Sequence, residues 1–326
     1  MPFTDSSDDV AGEARRIISS IGAIDMRKRS MLLGATAMLA LHPISKAFAA
    51  TQPERAYATS SMSATSQAIP MEHNMEQNRY IGPGGMVVDE LGKGPRVVFV
   101  HGGGAGGAMA WKEQAPLAAN WRLIMPARPG YGDSPWLGSE DFARDADLIA
   151  ELIKPGDHVV AHSYGAAVAL LAVAKDVRKP ASLTIIESGT SDIAKDDPAV
   201  TAFHYAALGL AAHPPVDDEE YLRALFRIIQ PAQPLPQPLP PPLKAFAAHL
   251  RHFRSPAEAI VPDQILHAAS FRKLHVSGDH NPAYEGITRR LAERLGGEHL
   301  VIRGGGHTPQ RTGEPFNNAL NKFLLG

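Results

Sequence analysis

The chain has 326 residues, of which 44% are hydrophobic and 20% charged, with a formal net charge of −2 and a pI of about 6.7. That hydrophobic content suffices for a sizeable core, and without a long run of lysine or arginine there is no electrostatic footprint for nucleic acid or an anionic membrane surface. No cysteine is present, which excludes disulfides, thiolate zinc sites and cysteine nucleophiles.

Near the start, Arg27, Lys28 and Arg29 precede eleven apolar or small residues, 31–41, and then Ala47-Phe48-Ala49. This is the layout of an export signal, too short for a bilayer span of roughly 20 residues. Residues 1–49 are therefore expected to be cleaved near Ala49, leaving a periplasmic or secreted product with no stable membrane anchor. The string Lys28-Arg29-Ser30-Met31-Leu32 resembles a twin-arginine signal with lysine in the first arginine position, and Met26 is an alternative start. Residues 50–78, rich in Ser, Thr, Ala, Gln and Met without sustained periodicity, are expected to form a flexible linker.

Over 79–326, short apolar runs at 96–100, 121–125, 158–161, 182–186, 273–276 and 299–302 alternate with helical periodicity at about 142–153, 165–175, 284–295 and 315–324. The alternation predicts βα units and an α/β fold: a mainly parallel sheet with helices on both faces. The stretch at about 190–269 breaks this rhythm, with helix-like pieces at 199–212 and 221–229, then seven prolines over 231–242. Those prolines remove backbone donors and argue against helix or central strand there, so the stretch reads as an insertion with an extended connector.

Within the 158–166 segment, Ala161-His162-Ser163-Tyr164-Gly165 reads as a strand turning tightly into a helix. Small residues two before and two after the serine let strand and helix approach, which is the pattern of a nucleophile elbow. A turn serine by itself is as often a helix cap. Two further pieces change that reading. The strand at 96–100 runs into His101-Gly102-Gly103-Gly104, where the amide of Gly103, or in the alternative Gly104, could join that of Tyr164 as an oxyanion hole. Gly304-Gly305-Gly306-His307 follows the last predicted strand, so His307 can act as base to Ser163, and the order glycine loop, serine, histidine is that of a serine hydrolase. His162 could line the pocket, but for it, as for His101, His204 and the ring of Tyr164, a plain core or surface position is the favoured reading.

These motifs, together with Arg128-Pro129-Gly130-Tyr131-Gly132-Asp133-Ser134, resemble the α/β-hydrolase superfamily over roughly 79–326. The resemblance implies a mostly helical cap inserted after the sixth strand, here about 190–269, and a site beneath it. It also implies acyl transfer to water on a small-molecule carboxylic ester or lactone, with no cofactor or metal. The elbow differs from the Gly-Asp-Ser-Ala-Gly of hormone-sensitive-lipase-like esterases, and Ser163 counts against family members with an aspartate nucleophile. The glycine loop also resembles that of carbon–carbon bond hydrolases, which leaves them, hydroxynitrile lyases and a catalytically silent binding member as alternatives.

The acid that orients His307 departs from the family pattern. Where the family normally carries aspartate, in Gly278-Asp279-His280-Asn281, this chain has Asn281. Asp279 lies two residues out of register and is the alternative acid. Glu187, at the end of the sixth strand, where some family members place theirs, is the stronger candidate.

Overall fold

The structure is a computed structural model that describes residues 77–326. The expected export segment and residues 50–76 of the expected linker lie outside the described residues. Eight strands form one sheet in the order β1-β2-β4-β3-β5-β6-β7-β8. They are β1 (Gln77–Ile81), β2 (Val87–Leu91), β3 (Arg96–Val100), β4 (Arg122–Pro126), β5 (His158–His162), β6 (Ser182–Ile186), β7 (Arg272–Ser277) and β8 (Glu298–Val301). The pairs β1–β2 and β2–β4 are antiparallel, and the five remaining pairs are parallel.

Alternation along the strands divides the core into two layers. Val98 and Val100 of β3, Val159 and Ala161 of β5 and Leu183 and Ile185 of β6 share one cluster with the helices α2 (Phe142–Leu152), α3 (Tyr164–Lys175) and α8 (Pro282–Leu295). Val97 and Phe99 of β3 and Val160 of β5 point the other way. They pack with Trp111, which follows the short α1 (Gly107–Ala110), and with Phe316 and Leu320 of α9 (Glu314–Leu325). The central strands are thus apolar on both faces, as a parallel sheet covered by helices requires.

Between β6 and β7 the chain forms α4 (Pro198–Ala212), α5 (Asp218–Ile229), α6 (Pro241–His249) and α7 (Asp263–Ala268). Asp197 caps α4 and Asp217 caps α5, each accepting from amides of the first turn. Tyr221 and Leu222 of α5 and Phe246 and Ala247 of α6 belong to a separate small cluster, so the insertion has its own apolar centre. One expectation needs correction: the proline run does not exclude helix throughout, because α6 starts at Pro241. Prolines are tolerated in a first turn, where their missing amides would have no intrahelical partner. The strands β1 and β2 carried no sequence expectation, and β1 takes in the last two residues of the segment expected to be linker.

Candidate active site

Ser163 sits between β5 and α3 with φ 55° and ψ −119°, a left-handed backbone rarely taken by a non-glycine residue. Its amide donates to the Ile186 carbonyl (2.9 Å), which ties the turn to the end of β6. Gly165 cannot be larger: a Cβ there would lie 2.4 Å from the backbone oxygens of Val100 and His101. The small residues flanking the serine therefore do what the sequence required of them, holding α3 against β3 so that Ser163 stands at the carboxyl end of the sheet.

His307 reaches this serine from the loop after β8. Ser163 Oγ lies 2.9 Å from His307 Nε2, a distance at which the hydroxyl donates to the ring. The backbone carbonyl of His307 accepts from His162 Nε2 (2.7 Å), so the histidine beside Ser163 holds the loop that carries His307. On its far side, His307 Nδ1 lies 3.3 Å from Glu187 Oε2. Glu187 directly follows β6, is fully buried and also has positive φ, 49°. Its other oxygen, Oε1, accepts from the Gly278 amide (2.6 Å). Gly278 is required by close approach, since a Cβ there would fall 1.8 Å from the Gly306 carbonyl oxygen.

The alternative acid is elsewhere. Asp279 has a half-exposed carboxylate 3.8 Å from Arg303 Nη1, so of the two candidates the one facing His307 is Glu187. Asn281, in the position the family gives to aspartate, has other work. Its side-chain oxygen caps α8 by accepting from the Ala283 amide (3.0 Å), while Nδ2 donates to the carbonyls of Ile228 (3.1 Å) and Ile229 (3.0 Å) at the end of α5.

Burial sets the titration of the pair. It pushes Glu187 up to about 8, against which the nearby His280 and the Gly278 amide pull it down. It pushes His307 down to about 3, with the positive charge of His280 acting in the same direction. At neutral pH the imidazole is thus uncharged, with Nε2 open to the serine proton. Glu187, His280 and His307 place one ligand-type atom each within 4.8 Å of one another. A cation bound at His307 Nδ1 would force the ring proton onto Nε2 and leave the Ser163 hydroxyl without an acceptor there, so the cluster fits hydrogen bonding better than metal.

Gly103 and Tyr164 both line the cavity at Ser163, and neither amide donates to another protein group among the described residues. Gly104 also lines it, with φ 88°. The sequence offered Arg128 only as part of a motif, and its role was missed. It is fully buried and donates to the carbonyls of His101 (3.0 Å) and Gly102 (3.0 Å), to Asp145 (2.9 Å) and to Glu140 (2.7 Å). Its own amide donates to His101 Nε2 (2.9 Å), leaving His101 Nδ1 to donate to the Gly102 carbonyl (2.7 Å). One guanidinium therefore fixes the glycine loop. The legible signal was a cation that needs acids once buried, with two acids following within 17 residues. The Tyr164 ring lies against this guanidinium, 4.6 Å from its carbon. His204 pairs with Ser191 Oγ (3.0 Å) and has a structural place in the insertion.

The cavity has a volume of about 630 Å³ and runs from Ser163 and His307 into the insertion, where Phe203, Leu225, Ile229 and Phe246 line it. Among the described residues no helix is long and apolar enough to cross a membrane.

A mainly parallel sheet in this strand order, with a serine elbow after β5 and a helix-rich insertion after β6, defines the α/β-hydrolase class. The chain belongs to the alpha/beta hydrolase family, whose family model matches residues 97–319. It is 34% identical over 103 residues to the pimeloyl-[acyl-carrier protein] methyl ester esterase of Methylococcus capsulatus, covering 31% of this chain and 40% of that protein. To the enzyme of the same name from Aeromonas salmonicida it is 30% identical over 112 residues, 34% of this chain and 44% of that one. The chain thus spans less than half the length of these curated relatives. Among solved structures it resembles a thermophilic esterase from Thermogutta terrifontis (TM-score 0.53, 22% identity, 76% of this chain and 98% of that chain). It also resembles an N-acyl homoserine lactonase complexed with N-hexanoyl homoserine (TM-score 0.57, 19% identity, 77% and 96%). At these identities the structural likeness speaks for the fold.

Proposed function

We propose that the protein is a serine hydrolase that cleaves a carboxylic ester or lactone of a small molecule through an acyl-enzyme on Ser163. The observation that carries this reading is the continuous line from Ser163 Oγ through both nitrogens of His307 to Glu187, at 2.9 and 3.3 Å. His307 Nε2 takes the hydroxyl proton as Oγ attacks the substrate carbonyl carbon. Glu187 accepts from Nδ1–H, fixing the tautomer and stabilising the imidazolium that forms. The amides of Gly103 and Tyr164 are free to receive the developing oxyanion, a contact worth ~3 kcal/mol per donor. His307 then gives its proton to the leaving oxygen, and water repeats the sequence to release the acid. The apolar lining contributed by the insertion favours a substrate with an apolar acyl or alkyl part. The esterases and the lactonase among the similar proteins agree with this chemistry.

Short-chain nitrophenyl esters and a vinylogous diketone, offered separately to the purified protein and to Ser163→Ala, test the proposal. Ester turnover that vanishes in the variant supports it. Cleavage of the diketone with esters untouched would move the protein to the carbon–carbon hydrolases, and neither activity in folded protein would favour a silent binding member. We propose further that the protein is exported after cleavage near Ala49, a reading supported by the basic, apolar and Ala-Phe-Ala sequence over 27–49. Intact-mass measurement of exported protein still carrying residues 1–49 would refute it.

A further inference from the structure

His280 takes no part in the line from serine to acid, yet its ring also faces that acid. Its Nδ1 lies 3.6 Å from Glu187 Oε2, an ion-pair separation rather than a hydrogen bond, and this nitrogen is buried with no hydrogen-bond partner. Its Nε2 lies 3.2 Å from the Ile229 carbonyl, the last residue of α5. A carbonyl only accepts, so Nε2 carries a proton. The state of Nδ1 follows from what it faces: once Glu187 is ionised, a bare lone pair aimed at the carboxylate would be repelled, so in that form Nδ1 carries the proton directed at Oε2. The ring is held in this pose by Tyr284, whose ring centre is 5.4 Å away, and by Asn281, which donates to the same Ile229 carbonyl. Ile228 and Ile229 in turn line the cavity.

We propose that His280 is a positioning residue for the triad acid, its Nδ1 proton holding the Glu187 carboxylate while its Nε2–H ties that carboxylate to the cap helix that lines the substrate cavity. The inference rests on the reading of Ser163, His307 and Glu187 as a catalytic line and adds a fourth member to it. Glu187 is faced by His307 from the loop after β8, by the Gly278 amide and His280 from the loop after β7, and by Tyr284 and Glu285 from α8. Of these, His280 most strongly opposes the effect of burial on the acid, ahead of the Gly278 amide. The cleft on its outer side carries Asp197, Asp279, Glu285 and Arg289. Positive charge on His280 makes the His307 imidazolium a stronger acid, which helps it release its proton to the leaving group.

Two near-isosteric variants separate the two contacts. In His280→Asn the side-chain amide nitrogen falls near the place of Nδ1 and still directs a proton at Glu187, whereas the tie to Ile229 is lost. In His280→Gln the amide nitrogen falls near Nε2 and keeps the tie to Ile229, but position 280 no longer directs a proton at Glu187, which keeps only the Gly278 amide and His307. We expect His280→Gln to lower kcat about tenfold or more with KM little changed, and to move the midpoint of the kcat–pH profile upward. His280→Asn should restore much of that kcat while raising KM, because the cap is no longer pinned. Circular dichroism and thermal melting establish that each variant is folded, and labelling of Ser163 by a fluorophosphonate reports the nucleophile independently. Equal losses in the two variants, no loss in either, or the opposite ranking would overturn the proposal. Absence of labelling in the unsubstituted protein would instead sink the serine-hydrolase reading beneath it.

Discussion

The two sides of His307 are built on different physical principles. On the serine side, the geometry is fixed mainly by backbone and by one permanent charge: the strained turn at Ser163, the close packing at Gly165 and the buried Arg128 that donates to the carbonyls of His101 and Gly102. On the acid side, two titratable groups, Glu187 after β6 and His280 after β7, meet backbone groups from distant parts of the chain, the Gly278 amide and the Ile229 carbonyl at the end of the cap helix α5. The first side rests on close backbone packing around a buried guanidinium. The second can respond both to protonation and to whatever fills the cavity beneath the cap, so substitutions on the two sides should differ in kind as well as in size.

The largest effect expected is on the serine side. Ser163→Ala should remove about four orders of magnitude or more of kcat, as loss of a nucleophile does elsewhere, with an unchanged melting curve because little core volume is lost. Activity retained in the folded variant would break the comparison at its root. On the acid side, Glu187→Gln is nearly isosteric but cannot compensate the imidazolium, and steady-state kinetics should record a loss of about 10²–10⁴-fold. Asp279→Asn in the same assay should stay within about twofold, since its carboxylate faces Arg303 and solvent. The reverse ranking would transfer the acid role to Asp279.

Arg128→Met sharpens the contrast from the serine side. It leaves Glu140 and Asp145 buried without their cation, a change that costs about 3–5 kcal/mol and should appear first in denaturant unfolding. Matched stability of variant and parent would show that the guanidinium is not what holds the glycine loop.

The pH profile separates the sides most economically. The form of Glu187 that stabilises a cation is the ionised one, which predominates above its midpoint. Burial raises that midpoint to about 8, so kcat should climb as pH rises through this range and fall away below it. Protonation of His307, at about 3, lies far lower and does not set this limb. Glu187→Gln should flatten the limb; a limb that persists unchanged in that variant would belong to another group.

What the sequence revealed follows the same division. Ser163, His307 and the glycine loop were legible because local rules, small residues at a tight turn and a glycine run at a strand end, write themselves into neighbouring positions. Glu187 was legible as a carboxylate at a strand end, but only the fold brings it to His307 across 120 residues. His280 and the reassignment of Asn281 to capping α8 and binding α5 were not legible, because both depend on where the cap comes to rest. Strands β1 and β2 escaped notice for a related reason. β1 is largely exposed and lacks apolar alternation, and β2 places two acids, Asp89 and Glu90, in a strand where they are satisfied by Arg79 and Arg122.

The most direct measurement is covalent. Incubating the intact protein with a fluorophosphonate probe, followed by digestion and peptide mapping, asks whether the serine at the elbow is an activated nucleophile. We expect a single stoichiometric adduct on Ser163, abolished in Ser163→Ala and strongly slowed in Glu187→Gln. A folded protein that takes up no probe, or takes it up on a different serine, would contradict the assignment of Ser163 as the nucleophile.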